Sequence, residues 1–278
     1  MKKRLAREKK ISSIRYILYI VFLFFTSTLA IARIDILPST GIEITATPGV
    51  VAQGSVVLKP DTSQTAILQY RLRALRSDDQ EIEQSRLTIE NRYTQGVQTL
   101  DRYRTVLSGQ EKGNQVTSTF QFEPIWTDVP GEYVSSLAAS RNAAPDIPVK
   151  IIIKPKSLLT LQPQNFTITT SSLKSPVISE VNVVMGSNSP RWELYLVADN
   201  LKFKSSSQKI SNDRVFVRIK DQYNPKPWLL LNKKLKLISG VATPITTIAT
   251  LEFVVESELD DRAGDYLGNI KFLVRNFK

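Results

Sequence analysis

The feature that most constrains this chain is a two-residue alternation of apolar and polar side chains in short runs. Val215, Val217 and Ile219 alternate with Phe216, Arg218 and Lys220. Leu251, Phe253 and Val255 alternate with Glu252, Val254 and Glu256, and Ile270, Phe272 and Val274 with Lys271, Leu273 and Arg275. Trp192, Leu194 and Leu196 alternate with Glu193 and Tyr195. Successive side chains of a strand point to opposite faces, so such runs bury one face and wet the other. Runs this short, bounded by Gly, Pro, Asn and Ser, predict an all-β fold of sandwich or barrel type.

The pattern occurs twice in the same order. Arg86-Leu87-Thr88-Ile89, Tyr93, Ser108-Gly109, Thr119-Phe120-Gln121-Phe122 and Gly131-Glu132-Tyr133 form the first copy. Arg214-Val215-Phe216-Val217, Tyr223, Ser239-Gly240, Thr250-Leu251-Glu252-Phe253 and Gly264-Asp265-Tyr266 form the second. Ser108 to Gly131 is 23 positions and Ser239 to Gly264 is 25. Ordered recurrence of this kind reads as a duplicated module, and 278 residues is the length of about two domains. The boundary is expected near Asn142-Ala143-Ala144-Pro145-Asp146, with the apolar run Val149 to Ile153 closing the first unit or opening the second. A division at 155 gives domains 33–155 and 156–278.

One stretch reads two ways. Leu68, Leu72 and Leu75 have helical spacing, but Leu68, Tyr70, Leu72 and Ala74 also alternate with Gln69, Arg71 and Arg73. Its counterpart Trp192 to Ala198 reads as a strand, so a strand is expected over 66–75. A polar connection, one helical turn at most, is expected over 77–84.

The first 32 residues differ from the rest. Seven basic residues and only Glu8 precede an unbroken apolar run, Tyr16 to Phe25, and Ala30-Ile31-Ala32 follows as an Ala-x-Ala cleavage pattern. This is the order of a secretory signal peptide, helical in its apolar part and cut after Ala32. The competing reading is an uncleaved anchor holding residues 16–32 in the membrane, for which the run is short. Either way residues 33–278 are expected outside the cytoplasmic membrane, secreted, on the cell surface or in a periplasm. Leu37-Pro38-Ser39-Thr40-Gly41 matches a sortase pentapeptide, but it follows the apolar run instead of preceding one, and it reads as a turn-rich linker.

The leader also carries much of the +11 net charge, leaving 30 basic against 25 acidic residues over 33–278. Lys233-Lys234-Leu235-Lys236 is the densest later cluster and alternates like the wet side of a strand, so nucleic-acid binding is not expected. The chain has no cysteine and no histidine. Thiolate and Ser-His-Asp chemistry, disulfides, and His- or Cys-based zinc or haem sites are therefore excluded. No Gly-rich phosphate loop is present, and no enzyme is expected.

Three groups remain as candidate sites. Glu256, Glu258, Asp260, Asp261 and Asp265 could supply hard oxygen ligands to calcium, the one cofactor the chain suggests, although the Asp/Asn-Gly ladder of a calcium loop is missing. The bland reading is a solvated acidic turn. Among Trp126, Trp192 and Trp228, Trp192 reads as core, while Trp228, after the turn Asn224-Pro225-Lys226-Pro227, is the aromatic expected to face a ligand such as a sugar. The apolar strand Tyr266 to Val274, with Tyr266, Ile270, Phe272 and Val274, is expected either to close the core or to pair with a partner's strand, since an unpaired edge is a template for augmentation. Asn165-Phe166-Thr167 is a glycosylation sequon, which matters only in a eukaryotic host.

The tract Arg262-Ala263-Gly264-Asp265-Tyr266-Leu267-Gly268-Asn269-Ile270-Lys271-Phe272 resembles the closing strand of bacterial extracellular immunoglobulin-like modules of pilus, adhesin and surface-protein type. Gly131-Glu132-Tyr133 is a reduced copy. The resemblance implies two tandem Ig-like antiparallel β-sandwich domains behind the signal helix. It also implies a non-catalytic surface, matrix or pilus-like protein with a structural or adhesive role. Its partners would be other envelope or surface proteins or further copies of itself. A second resemblance is to two-domain periplasmic pilus chaperones, for which Lys150-Ile151-Ile152-Ile153-Lys154-Pro155 is a loose match to the basic strand near the hinge; their paired basic cleft residues have no counterpart here. A carbohydrate-binding module is the third reading.

Overall fold

The computed structural model describes residues 34–60, 67–78, 80–108, 114–140, 144–168, 178–221, 223–224 and 226–277. The expected signal, with Ala30 and Ala32, lies outside the described residues, as do Gly109, Asn142 and Ala143. The described elements are strands and two single 3-10 turns, as an all-β fold requires.

The described residues of 34–153 form twelve strands. They are β1 (Ile34–Leu37), β2 (Ile42–Ala46), β3 (Ala52–Pro60), β4 (Leu68–Leu72), β5 (Leu75–Ser77), β6 (Gln80–Ile82), β7 (Leu87–Glu90), β8 (Gln98–Thr99), β9 (Arg104–Leu107), β10 (Val116–Phe122), β11 (Gly131–Ala139) and β12 (Ile147–Ile153). One sheet runs β1-β3-β10-β7-β8, and the other β2-β12-β11-β4-β9, with the β5–β6 hairpin attached through β11. All neighbours are antiparallel except β12 and β2, which are parallel. Alternate residues of both sheets meet in one core that includes Ile44, Leu58, Tyr70, Leu87, Phe120 and Tyr133. Two sheets sharing one core make a sandwich. The orders β1-β3-β10-β7 and β12-β11-β4 are the A-B-E-D and G-F-C orders of an immunoglobulin fold.

The described residues of 157–277 form eleven more strands. They are β13 (Ser157–Gln162), β14 (Ser179–Ser187), β15 (Arg191–Ala198), β16 (Leu201–Phe203), β17 (Lys209–Ile210), β18 (Val215–Ile219), β19 (Leu229–Leu230), β20 (Leu235–Gly240), β21 (Thr243–Val255), β22 (Tyr266–Leu267) and β23 (Ile270–Phe277). The order β13-β14-β21-β18-β19 repeats the first sheet of the first half, strand for strand. The order β20-β15-β23 repeats β9-β4-β11, and β17-β16-β22 repeats β6-β5-β11. Among the described residues, no strand of this half takes the places of β2 and β12. The second core gathers Val181, Met185, Trp192, Leu194, Leu196, Val217, Leu251 and Phe253. Trp192 fits because its register partner is Gly240; a Cβ there would stand 2.4 Å from the indole.

Several sequence expectations change in detail. The strand expected over 66–75 is split at Arg73-Ala74 into β4 and β5, because Arg73 turns its N–H to Ser136 O at 2.9 Å on β11. The 77–84 connection is a hairpin turn followed by β6, and the 3-10 turn Gln84–Arg86 comes after it. Residues 144–146 precede β12, and β12 pairs with β11, so β12 closes the first half. The run from Tyr266 to Val274 is two strands, broken at Gly268-Asn269, since β22 pairs with β16 and β23 with β15. Of the sortase-like pentapeptide, Leu37 ends β1 and residues 38–41 turn into β2, with the Gly41 N–H bonded to Pro38 O at 3.0 Å.

Among the described residues no strand of one half pairs with a strand of the other. Their junction is made by side chains. Lys156 donates to Pro48 O at 2.7 Å and lies over the Trp126 ring at 5.4 Å. Trp126 in turn covers Gly186, where a Cβ would stand 3.3 Å from the ring. Asn188 is fully buried; its Nδ2 donates to Lys154 O and its Oδ1 accepts from the Lys156 N–H.

Candidate functional site: the edge of β23

Each half carries the same corner. A 3-10 turn ends in an arginine, Arg86 or Arg214, just before the strand β7 or β18. Arg86 donates both terminal nitrogens to Asp128 at 2.7 and 2.6 Å, and Arg214 donates both to Asp261 at 2.8 Å. Each aspartate also accepts the backbone N–H three residues before it, from Ile125 or Glu258. Five residues further on, the Tyr133 hydroxyl donates to Val129 O at 2.9 Å and the Tyr266 hydroxyl to Arg262 O at 3.0 Å. A tyrosine that bonds back to the chain at the start of this strand is the tyrosine corner of immunoglobulin folds. Bidentate arginine–carboxylate pairs fix planar geometry. The hydrogen bonds from Arg214 hold the Asp261 carboxyl below its usual range. Arg86, Arg214 and the Gly-x-Tyr triplets were legible in the sequence, but the two aspartates were not singled out as a pair. The shared spacing Asp-x-x-Gly-x-Tyr, at Asp128 and Asp261, is the signal that finds them.

This corner accounts for part of the acidic cluster. Asp261 is held by Arg214, Glu258 reaches Arg214 at 3.3 Å, and Asp265 pairs with Lys204 at 3.0 Å. Glu256 and Asp260 are exposed. The structure does not gather the five carboxylates, and no group of three or more among the described residues is arranged to hold a metal ion. Trp228 is half-buried, and the Arg218 guanidinium covers its ring at 4.4 Å while bonding Glu252 at 2.5 Å. Trp192 is core, its indole N–H donating to Val241 O at 2.6 Å.

The four residues expected at a partner surface divide. Tyr266 sits on β22, edge-on to Phe203 at 5.0 Å. Ile270, Phe272 and Val274 share the inner face of β23, in register with Ala198, Leu196 and Leu194 of β15. Those β15 partners are 3%, 0% and 0% exposed, yet Ile270, Phe272 and Val274 are only half-buried. Burial therefore falls off across a single strand pair, toward the far edge of β23. Among the described residues β23 pairs only with β15, while its counterpart β11 pairs with β4 on one edge and β12 on the other. Alternate residues of an antiparallel strand turn their N–H and C=O to opposite sides, so half of the β23 residues present these groups to the open edge. Leu159, Leu161, Phe166 and Ile168 pack against the same core and are also only half-buried.

The outer face of this sheet is charged. Glu193, which the alternation placed in solvent, is 5% exposed because Lys236, Arg191 and Tyr195 close over it at 2.5, 3.0 and 2.6 Å. These hydrogen bonds, that from Lys236 first, lower its pKa to about 2. On the other sheet, Glu252 of β21 is buried in the same way beneath Arg218 of β18. Beside Glu193, Lys271, Leu273 and Arg275 stand exposed along β23.

No family model and no curated protein matches the chain. Solved structures do. A chaperone–tip adhesion subunit pre-assembly complex of the archaic Csu pili of Acinetobacter baumannii is similar over 88% of this chain and 100% of that one, at 12% identity and a TM-score of 0.42. The tandem immunoglobulin domains 1 and 2 of DIP-gamma are similar over 85% and 94%, at 8% identity and a TM-score of 0.29. The C-terminal domain of the AgI/II polypeptide BspA of Streptococcus agalactiae is similar over 88% and 96%, at 12% identity and a TM-score of 0.23. Among the described residues no helix is long and apolar enough to cross a membrane. A pilus chaperone–adhesion subunit complex, tandem immunoglobulin domains and a bacterial AgI/II polypeptide domain are thus among the structures this chain is similar to.

Proposed function

We propose that this chain is an exported, non-catalytic protein of two tandem Ig-like domains, 33–155 and 156–278, that serves a structural or adhesive role in a surface, matrix or pilus-like assembly. The single observation that carries this reading is the β23 edge. It offers backbone hydrogen bonds and a half-buried apolar face together, which is what a sheet needs to take on a strand of another polypeptide. The separation of the sheets and cores between Ile153 and Ser157 supports the two-domain division. The carbohydrate reading loses support because Arg218 already occupies a face of Trp228.

The test is fractionation of source cells, with intact mass on every fraction. Protein beginning at Arg33 in sheared, sedimentable surface material, in covalent reach of another subunit through residues near β23, is the expected result. Monomeric protein in a soluble fraction, with no crosslink near β23, overturns the reading. A mass that keeps residues 1–32 replaces cleavage by anchoring.

A further inference from the structure

The outer face of the sheet β20-β15-β23 is made by alternate residues of three strands. Register sets Arg275 beside Glu193, Leu273 and Lys236 on either side of Tyr195, and Phe277 beside Arg191. Glu193 is nearly enclosed, and its Oε1 accepts from both Lys236 and Arg191, while Oε2 accepts from the Tyr195 hydroxyl. One carboxylate thus draws two cations to a single atom, yet their side chains stay 45% and 61% exposed. Each keeps N–H donors for a second acceptor.

Two more cations border this pair. Lys234 lies over the Tyr195 ring at 4.4 Å, and Arg275 lies over Phe277 at 4.7 Å, with Arg191 at 5.0 Å from that same ring. Lys234 and Arg275 are exposed, and among the described residues neither forms an ion pair. Lys271 does not count toward the surplus, because Asp199 holds it at 3.2 Å. Four cations therefore stand against one carboxylate, and the carboxylate is the group that is hidden. The shared fold does not impose this. The equivalent face of the first half carries Gln69, Arg71, Thr105 and Val134, and its Lys150 is paired with Glu132 at 2.8 Å.

Such a face attracts anions, and its side chains narrow the class. Tyr195 and Phe277 already meet cations, so they are not a stacking platform for bases. Leu273 is the one large exposed apolar side chain on it among the described residues, too little to enter a bilayer. Guanidinium groups match planar carboxylates, and Glu193 shows Arg191 and Lys236 holding one. Neighbouring strands lie about 5 Å apart and same-face positions about 7 Å apart, so an extended polymer with repeated carboxylates can meet several cations at once.

We propose that this face binds a linear acidic polysaccharide, with carboxylates of successive sugars meeting Lys234, Lys236, Arg191 and Arg275. The site goes beyond the assembly reading, which concerns the edge of β23, and it does not involve Trp228.

The probe is alginate, a polymer of uronic acids, titrated into the full chain beside neutral dextran and monomeric galacturonate. Single exposed ion pairs are weak and repetition multiplies them. Alginate is therefore expected to bind at least about 100-fold more tightly than the monomer, with affinity falling as salt rises, and dextran is expected not to bind. Lys234→Gln with Arg275→Gln, both exposed, should weaken alginate binding about tenfold. Lys59→Gln with Lys226→Gln removes the same charge from exposed positions off this face and should leave binding unchanged. Absence of alginate binding, binding of dextran as tight as that of alginate, or an equal loss in the two double variants overturns the proposal. So does binding of single-stranded DNA or of phosphatidylserine vesicles as tight as that of alginate, which would assign the face to nucleic acid or to lipid.

Discussion

The two halves of this protein begin from the same plan and differ at one edge. In the first, β12 and β2 continue the second sheet, and Tyr133 and Leu137 of β11 are buried to 1% and 0%. In the second, β23 pairs only with β15 among the described residues, and Ile270, Phe272 and Val274 remain half-buried. The remaining strand order, the 3-10 turns and the Arg–Asp–Tyr corners match. Whether the inner face of such a strand is core or contact surface is therefore decided by one neighbouring strand, and hardly by the strand's own composition.

The largest expected effect that sharpens this contrast comes from paired truncations at the two edges. Ile151→Ala removes a fully buried side chain between β11 and β2 and is expected to cost about 2–5 kcal/mol. Phe272→Ala removes a larger but half-buried side chain and is expected to cost only about 1–2 kcal/mol. Urea unfolding of the two variants measures the difference. Equal costs would break the contrast, because they would mean that the β23 face is covered in the free protein.

Next come the corners, where the halves should agree. Arg86→Ala leaves the buried Asp128 without its arginine, and Arg214→Ala leaves the half-buried Asp261 without its own. Each is expected to cost about 2–3 kcal/mol, somewhat below the figure for a fully buried pair because the arginines keep some exposure. Thermal unfolding of both checks this, and a large loss in one half with none in the other would deny the corners a common role.

A smaller effect depends on pH. Glu193 and Asp261, both in the second half, have lowered pKa values through hydrogen bonds from Lys236 and Arg214 respectively. A carboxylate whose pKa falls on folding stabilises the protein above its unfolded value and loses that contribution as pH drops. For Glu193 the loss is expected between about pH 4.5 and 2. In Glu193→Gln the slope of stability across that window should flatten. An unchanged slope would show that the charged cap over β15 does not hold in solution.

The smallest effect concerns the junction. Lys156→Ala removes one hydrogen bond and one cation–π contact and is expected to cost about 1 kcal/mol. It should also shift the fluorescence of Trp126. A silent substitution would mean that the Lys156 contacts do not hold the halves together in solution.

Much of the fold was legible because alternation reports burial directly. Leu68, Tyr70 and Leu72 were placed on one face and are buried, as are Trp192, Leu194 and Leu196. Glu193 and Glu252 show where alternation misleads: both lie on outer faces, yet arginine and lysine side chains from neighbouring strands cover them. The pairing of β2 with β12 was not legible, because it joins short apolar runs about a hundred residues apart and a strand's own sequence does not name its neighbour. For the same reason the run from Tyr266 to Val274 could be read either as closing strand or as partner surface. The acidic tract before it drew attention by its density, whereas the informative residue in it was Asp261, recognisable only by comparison with Asp128.

The most direct measurement is residue-resolved amide exchange of β11 and β23 in the free full chain. The β11 amides, paired on both edges, should be protected along the run that faces β12 and β4. In β23, amides turned toward β15 should be protected, and the alternate ones should exchange quickly. Uniform protection of Ile270–Phe277, equal to that of β11, would contradict the open edge on which the proposed function rests.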